Sequence, residues 1–258
     1  MTQLIQLENA ANVRELGGYK TASGKTVKRK KLIRSAAINE LSETDQATLS
    51  NYGINQIIDF RSYEEAQAQP DQPIRHAQQF FLPIFREDET MVSLSPDTLK
   101  QQLADGNDAE VQMKKVYRHF VESPHARKQY RQFFDLVIEN AEAGATLFHC
   151  TAGKDRTGFG AFLLLSLLDV DQETIKQDYL ATNRYLGPFL KEKFAPMKQQ
   201  MPPEILDAIA TLMSAKESFL DESLATIEKE FGTVDQYLKE GLAITKDEKE
   251  YFHAHFTE

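Results

Sequence analysis

The chain has no tryptophan and a single cysteine, Cys150, among its 258 residues. One thiol excludes an intrachain disulfide and a cysteine-rich zinc cluster, and it is typical of a protein from a reducing compartment. Long apolar runs are also absent, because the longest, from Phe159 to Leu168, is much shorter than the ~20 residues needed to span a bilayer. We therefore expect no stable membrane insertion.

Signals for export and for nucleic-acid binding are lacking too. The first ten residues, MTQLIQLENA, have no basic segment and no sustained apolar segment, so we expect a cytoplasmic protein, with export by a route without a classical signal left open. The net charge of −9 repels polyanions and argues against a nucleic-acid partner. A basic stretch from Lys28 to Lys31 either steers acidic substrates or protects the edge of a hairpin.

The hydrophobic pattern predicts an α/β fold with a central, mostly parallel sheet flanked by helices. Two short apolar runs, 54–60 and 145–150, are typical of buried strands, and each is followed by a helix start signal. The last ninety residues predict a helical C-terminal third. Residues 85–110 are polar and poor in apolar runs, so we interpret them as a candidate lid with short helices within a single domain, 1–258.

The chemistry is concentrated between the second buried strand and the next helix. Cys150 stands at the carboxyl end of the strand, where open α/β sheets bind ligands, and Arg156 begins the helix. A loop curled between them turns successive N–H groups inward, which makes an anion site that favours the thiolate form of the cysteine. Arg156 offers a planar fork for two phosphoryl oxygens. A cysteine kept only for packing is the simpler alternative.

The sequence HCTAGKDRTG over 149–158 is not a nucleotide-binding Walker A loop. Asp155 follows the lysine where a magnesium-binding Ser or Thr is required, and Phe148 stands where the first glycine is required. The pattern His-Cys-x5-Arg-Thr-Gly after a strand instead resembles the active-site loop of cysteine-dependent protein tyrosine phosphatases. The full segment is similar to the bacterial family that includes a secreted mycobacterial enzyme acting on phosphoproteins and phosphoinositides.

The resemblance extends over nearly the whole chain. Further similar segments are NVRELGGY at 12–19, Arg34-Ser35, DFRS at 59–62, DYL at 178–180 and 231–242. Family members often carry Asp where this chain has Glu15, and Leu where it has Phe60. The resemblance implies a metal-free phosphomonoester hydrolase with Cys150 as nucleophile and no cofactor. The phosphate-binding residues that it implies are Thr151, Ala152, Gly153, Lys154, Arg156 and Thr157.

Two aspartates are candidates for the proton donor, because a chain without tryptophan has no Trp-Pro-Asp loop. Asp155 lies inside the active-site loop, and Asp59 ends the other predicted strand at the same edge of the sheet. We prefer Asp155 as the acid, with Asp59 supporting Arg156 or the loop. The alternatives are a turn residue bonded to loop amides for Asp155 and a helix cap for Asp59.

Three further expectations concern specificity and rival functions. Lys154 either faces the pocket and suits substrates with several phosphates, phosphoinositides included, or is a solvated loop lysine. His149 orients the loop rather than acting as a base. The rivals to a protein-tyrosine phosphatase are a rhodanese-like sulfurtransferase and a catalytically silent phosphate-binding module. Phosphotyrosine proteins or phosphoinositides are the expected substrates, and the oligomeric state is not predicted.

Overall fold

The computed structural model describes residues 4–91, 98, 101, 108–194 and 201–258, without the side chains of 192–194. The strands are β1 (Arg14–Glu15), β2 (Leu32–Ser35), β3 (Ile54–Asp59), β4 (Gln78–Phe81) and β5 (Ala145–His149). The helices are α1 (Glu43–Tyr52), α2 (Tyr63–Ala68), α3 (Ala109–Glu122), α4 (Pro124–Glu139), α5 (Arg156–Leu167), α6 (Gln172–Phe194), α7 (Pro203–Met213), α8 (Glu217–Phe231), α9 (Val234–Gln236) and α10 (Lys246–Phe256), with a π-helical turn at Tyr237–Gly241.

The five strands form one sheet in the order β1-β2-β5-β3-β4. β2, β5, β3 and β4 run parallel, and only β1 pairs antiparallel with its neighbour among the described strands. The predicted mostly parallel α/β sheet is therefore confirmed. β3 and β5 are neighbours, and Asp59 lies opposite His149 in their register. The carboxyl ends of the two predicted strands thus meet at one edge of the sheet. None of the described helices is long and apolar enough to cross a bilayer.

Local start and stop signals place the helices around this edge. Ser62 caps α2, and a capping box joins it to Glu65. The same pairing begins α1 and α10, and Gly53 ends α1 with a φ of 98° that favours glycine. The sequence alone predicts these boundaries, because Ser and Thr are favoured at helix starts and Gly directly after helix ends. α5 is buried almost all round, as its continuous apolar sequence predicts.

The structure differs from the sequence prediction in the length of one helix, and it describes only part of the candidate lid. The sequence predicts that the helix from 173 ends at Tyr185, whereas α6 continues through Pro188 to Phe194. A proline removes one backbone hydrogen bond, but Leu186 is buried beyond the predicted end, and this packing favours continuation. Most of the candidate lid at 85–110, namely 92–97, 99–100 and 102–107, lies outside the described residues.

Aromatic packing holds the ends of β3 and β5 in register. Phe60, directly after β3, is fully buried with its ring 5.0 Å from that of Phe133 and 6.0 Å from that of Phe148. Buried aromatic pairs at these distances add to the hydrophobic stabilisation. The Phe60 ring therefore fills the core beneath the carboxyl edge of the sheet.

Candidate active site

The loop from Cys150 to Arg156 connects the end of β5 to the start of α5. Both Cys150 and Arg156 are 1% exposed. Gly153 in its centre has φ +63°, a left-handed conformation that favours glycine. A Cβ built at Gly153 would lie 2.3 Å from the Ser35 carbonyl oxygen, so the loop presses directly on the end of β2.

Two side chains from the N-terminal segment fix the direction of the loop peptides. The Asn12 amide donates to the carbonyls of Ala152 at 3.3 Å and Gly153 at 3.0 Å. The Arg34 Nη2 also donates to the Gly153 carbonyl, at 2.9 Å. In a trans peptide the N–H points away from the carbonyl, so the N–H groups of Gly153 and Lys154 point to the opposite side of the loop. This is the orientation that an anion-binding loop needs.

Asp178 on α6 holds these supports through a buried ion network. It accepts from Arg14 Nε at 3.1 Å and Arg34 Nη1 at 2.5 Å, and all three side chains are at most 1% exposed. Burial alone would raise the pKa of Asp178, but the two arginines outweigh it and lower that pKa. Burial and the charge of Arg34 lower the pKa of Arg14 to about 10. The sequence indicated these segments by resemblance, but not their role behind the loop.

We expect Gly153→Ala to reduce both stability and activity, because the added Cβ meets the Ser35 carbonyl and the backbone is strained. The free energy of unfolding should fall by roughly 2 to 4 kcal/mol, measured by chemical denaturation. Gly24→Ala is the matched control, since Gly24 also has a positive φ, +83°, but has open space around it. It should lose only about 1 kcal/mol. Equal losses in both variants would contradict close packing of the loop on β2.

Glu65 makes the principal contact with Arg156. Arg156 donates from Nη1 to Oε2 at 2.5 Å and from Nη2 to Oε1 at 2.9 Å. The Thr151 hydroxyl donates to Oε1, and the Ser62 N–H donates to Oε2 at 2.8 Å. Burial opposes ionisation, yet the Arg156 charge and these donors lower the pKa of Glu65 to about 2. From the sequence, Glu65 is recognisable only as the capping-box partner of Ser62, and its pairing with Arg156 could not be predicted.

Replacing Glu65 by glutamine should destabilise the protein in a pH-dependent way. The carboxylate contributes stability that is present above its ordinary pKa of 4.5 and is lost as the pH falls toward about 2. At neutral pH Glu65→Gln should lower the free energy of unfolding by about 3 kcal/mol, because it leaves a buried guanidinium uncompensated. Urea denaturation at neutral pH and at about pH 3 should show this loss shrinking in acid.

The control for that experiment is Glu64→Gln, which removes the same charge from the exposed neighbouring position. It should change the free energy of unfolding by less than about 0.5 kcal/mol at either pH. A loss in Glu65→Gln that is equally large at both pH values would contradict the ionised Glu65–Arg156 pair.

Asp155, the predicted acid, faces the aromatic core on the α3 side of the loop. Its Oδ1 accepts from the Tyr117 hydroxyl at 2.7 Å and lies 3.1 Å from the Lys154 ammonium. Burial and the Asp155 charge raise the pKa of Tyr117 well above its ordinary value, so the phenol remains a donor. The Asp155 carboxylate accepts no capping hydrogen bond from the N–H groups at the start of α5, so it does not act there as the turn residue of the alternative interpretation.

In this conformation the Lys154 side chain neither faces the phosphate site nor is solvated. The side chain is fully buried, so it is not a solvated loop lysine. Its ammonium donates to the carbonyls of Leu212 at 2.6 Å and Ser214 at 3.1 Å, besides pairing with Asp155. The ammonium therefore ties the loop to the end of α7 in this conformation instead of facing the phosphate site. Three oxygen partners compensate for the burial of its charge.

Asp59 belongs to a separate ion network at the same edge. Its carboxylate accepts hydrogen bonds from the Arg61 guanidinium and the Arg61 N–H, so Asp59 neither caps α2 nor contacts Arg156. The support of Arg156 that we predicted for Asp59 is provided by Glu65 instead. Asp71 pairs with Arg61 at 2.7 Å and with His149 Nε2 at 2.9 Å. Burial lowers the pKa of His149, but the charges of Asp71 and Asp59 outweigh it and raise that pKa.

This network contains the one group of metal-ligand types found among the described residues. Ligand atoms of Asp59, Asp71 and His149 lie within 4.8 Å of one another. The Arg61 guanidinium donates to both carboxylates and so already supplies the positive charge that they need. His149 Nδ1 lies 3.3 Å from the Cys150 carbonyl oxygen, which links the network to the backbone of the loop and agrees with the orienting role predicted for His149.

Three buried polar atoms have no hydrogen-bond partner in the described structure: Arg34 Nε behind the loop, and Arg156 Nε and the Thr157 hydroxyl at the start of α5. Buried donors are normally paired, so an unpaired donor in a loop of this kind marks a place where another group binds. Arg156 Nε is available to a phosphoryl oxygen, while Glu65 holds the outer edge of the guanidinium. The Thr157 hydroxyl makes no hydrogen bond to the cysteine sulfur in the described structure.

Comparison with known proteins places the chain in a family. Residues 5–258 match the tyrosine phosphatase family. A Cupriavidus necator protein named as a tyrosine-protein phosphatase is 32% identical over 244 residues, which cover 93% of this chain and 84% of the relative. The triple specificity protein phosphatase PtpB of Mycobacterium tuberculosis is 27% identical over 262 residues, covering 91% and 92%. The chain therefore belongs to the tyrosine phosphatase family and is a phosphatase enzyme.

Among solved structures, TpbA of P. aeruginosa is 17% identical and covers 81% of this chain and 96% of its own, with a TM-score of 0.31. A likeness at this level supports no argument about the site. The family assignment rests on the sequence matches.

Proposed function

We propose that this phosphatase works through a covalent phosphocysteine and that phosphotyrosine proteins are its main substrates. The Cys150 thiolate attacks phosphorus in line, the P–O bond to the leaving group breaks, and a carboxylic acid of the site protonates the leaving oxygen. Water then attacks the S–P bond and returns the thiolate and inorganic phosphate. Arg156 and the loop N–H groups stabilise the charge on the equatorial oxygens. The sequence predicts either Asp155 or Asp59 as the acid that protonates the leaving oxygen.

The observation that carries this proposal is the unpaired Nε of a fully buried arginine beside the buried cysteine. The Glu65 pair and the peptide directions of the loop hold the remaining groups in the orientation that a phosphate needs. A sulfurtransferase has no need of this arginine fork, and a silent binding module has no need of the thiol. Turnover of an aryl phosphate separates both rivals from the phosphatase.

Cys150→Ser should abolish turnover while phosphate binding persists. The serine hydroxyl is not ionised near neutral pH, whereas Arg156 and the loop amides remain in place. Steady-state hydrolysis of p-nitrophenyl phosphate should fall to background. Equilibrium titration with inorganic phosphate should give a dissociation constant within about threefold of the wild type, a change of less than ~1 kcal/mol. Hydrolysis near the wild-type rate would contradict the cysteine mechanism.

The second part of the proposal concerns which phosphate esters the site accepts. The M. tuberculosis relative is named for triple specificity, and Lys154 is a cation adjoining the loop. We propose that phosphoinositides are secondary substrates of the same site, and that the Lys154 ammonium exchanges its carbonyl partners for a second phosphate when they bind. Such an exchange replaces neutral acceptors by a charged one and is electrostatically favourable.

A panel of phosphotyrosine peptide, phosphoserine peptide and a phosphoinositide should show the highest kcat/KM for the first. Lys154→Met should reduce kcat/KM for the phosphoinositide by about tenfold more than for the phosphotyrosine peptide, because one charge-assisted contact is worth ~1.5 kcal/mol or more. Lys191, an exposed lysine on α6, offers the control variant Lys191→Met. Equal reductions for both substrates would confine Lys154 to a structural role.

A further inference from the structure

The segment that follows β4 is held firmly beside the site. The Leu82 N–H donates to the Asp59 carbonyl at 2.8 Å, and His125 Nε2 donates to the Pro83 carbonyl at 2.9 Å. Phe85 is buried and stacks on Phe120 of α3, with ring centroids 5.2 Å apart. Residues 82–85 therefore have a fixed position between the sheet edge and the helices that precede β5.

Beyond these anchors the chain turns back toward Arg156. Thr90 is fully buried, and its hydroxyl donates to Asp88 Oδ1 at 2.5 Å. The Thr90 N–H donates to the same carboxylate oxygen at 3.1 Å, and the hydroxyl accepts from Arg156 Nη2 at 3.3 Å. The Thr90 hydroxyl therefore links the Asp88 carboxyl group to the Arg156 guanidinium, which we assign to phosphate binding.

The electrostatics agree with this closeness. Burial lowers the pKa of Arg156, but the charge of Glu65 and its hydrogen bonds outweigh burial, and Cys150 and Asp88 add to the increase, so the pKa of Arg156 stands well above its ordinary value. Cys150 and Asp88 thus both stabilise the charged form of Arg156. Asp88 is partly exposed, whereas Cys150 and Arg156 are buried.

In-line displacement decides on which side of phosphorus the proton donor must stand. The attacking sulfur and the leaving oxygen lie on opposite sides of phosphorus, and the leaving group, attached to the rest of the substrate, extends toward solvent. Asp155 is 2% exposed and is turned to Tyr117 behind the loop, and Asp59 is held by Arg61. Asp88 is the partly exposed carboxyl group next to Arg156.

We propose that Asp88 is the general acid of the reaction, an inference that rests on the proposed phosphocysteine mechanism. The protonated carboxyl group of Asp88 gives its proton to the leaving oxygen as the S–P bond forms and the P–O bond breaks. In the second step the Asp88 carboxylate takes a proton from the attacking water as the hydroxyl joins phosphorus and the S–P bond breaks. One cycle returns both the thiolate and the acid.

The test measures how kcat/KM, which reports the step in which the leaving group departs, depends on the acidity of the leaving phenol across a series of aryl phosphates that includes phosphotyrosine. A wild-type enzyme with a working acid should show weak dependence. Asp88→Asn should lower kcat/KM for phosphotyrosine by roughly 10² to 10⁴ while sparing kcat/KM for esters of strongly acidic phenols, so that the dependence becomes steep. Asp155→Asn, Asp59→Asn and the neighbouring exposed-charge control Glu87→Gln should keep the weak dependence, whatever their absolute rates.

Each outcome decides the proposal. Weak dependence in a folded, active Asp88→Asn variant overturns it, and so does steep dependence in Asp155→Asn or Asp59→Asn. Inhibition by inorganic phosphate checks that each variant retains its site, and Asp88→Ala replaces the asparagine variant if that one does not fold. If the wild type hydrolyses none of the aryl phosphates, the proposed function itself fails. If the wild type and Glu87→Gln are active, only the assignment of Asp88 is in question.

Discussion

The site depends on two carbonyl groups, those of Ala152 and Gly153, which accept hydrogen bonds from Asn12 and Arg34. These bonds turn the N–H groups of the loop to the other side, where an anion can use them. These bonds require the burial of a charged side chain, which costs free energy, because Arg34 is completely buried and its charge must be compensated by Asp178. The N-terminal strands and α6 therefore support the loop from Cys150 to Arg156, although they lie apart from it in sequence.

The carboxyl edge of the sheet brings several acidic side chains together and gives each a different partner. Glu65 is paired with Arg156, Asp59 with Arg61, and Asp155 with Tyr117 and Lys154. Asp88 is partly exposed, and the Thr90 hydroxyl links its carboxyl group to Arg156. Acidic groups gathered around one cysteine and one arginine can in this way hold, orient and transfer protons without competing for the same cation.

The local part of this arrangement could be predicted from sequence. Five residues separate Cys150 at a strand end from Arg156 at a helix start, and the Ser62–Glu65 capping box is visible in four consecutive residues. Contacts over long separations could not be predicted. Glu65 and Arg156 are 91 residues apart, and the Lys154 ammonium meets a carbonyl 58 residues further on. Which partner a buried charge meets is decided by tertiary packing, which single-sequence periodicity does not encode.

The central claim is that phosphate passes through the sulfur of Cys150. Rapid acid quenching during turnover of an aryl phosphate, followed by mass spectrometry of peptides, tests it most directly. The account predicts one phosphoryl group on the peptide that contains Cys150, appearing within the first turnover and disappearing when substrate is exhausted. Phosphate on another residue, or steady turnover with no phosphorylated peptide at any quench time, would contradict it.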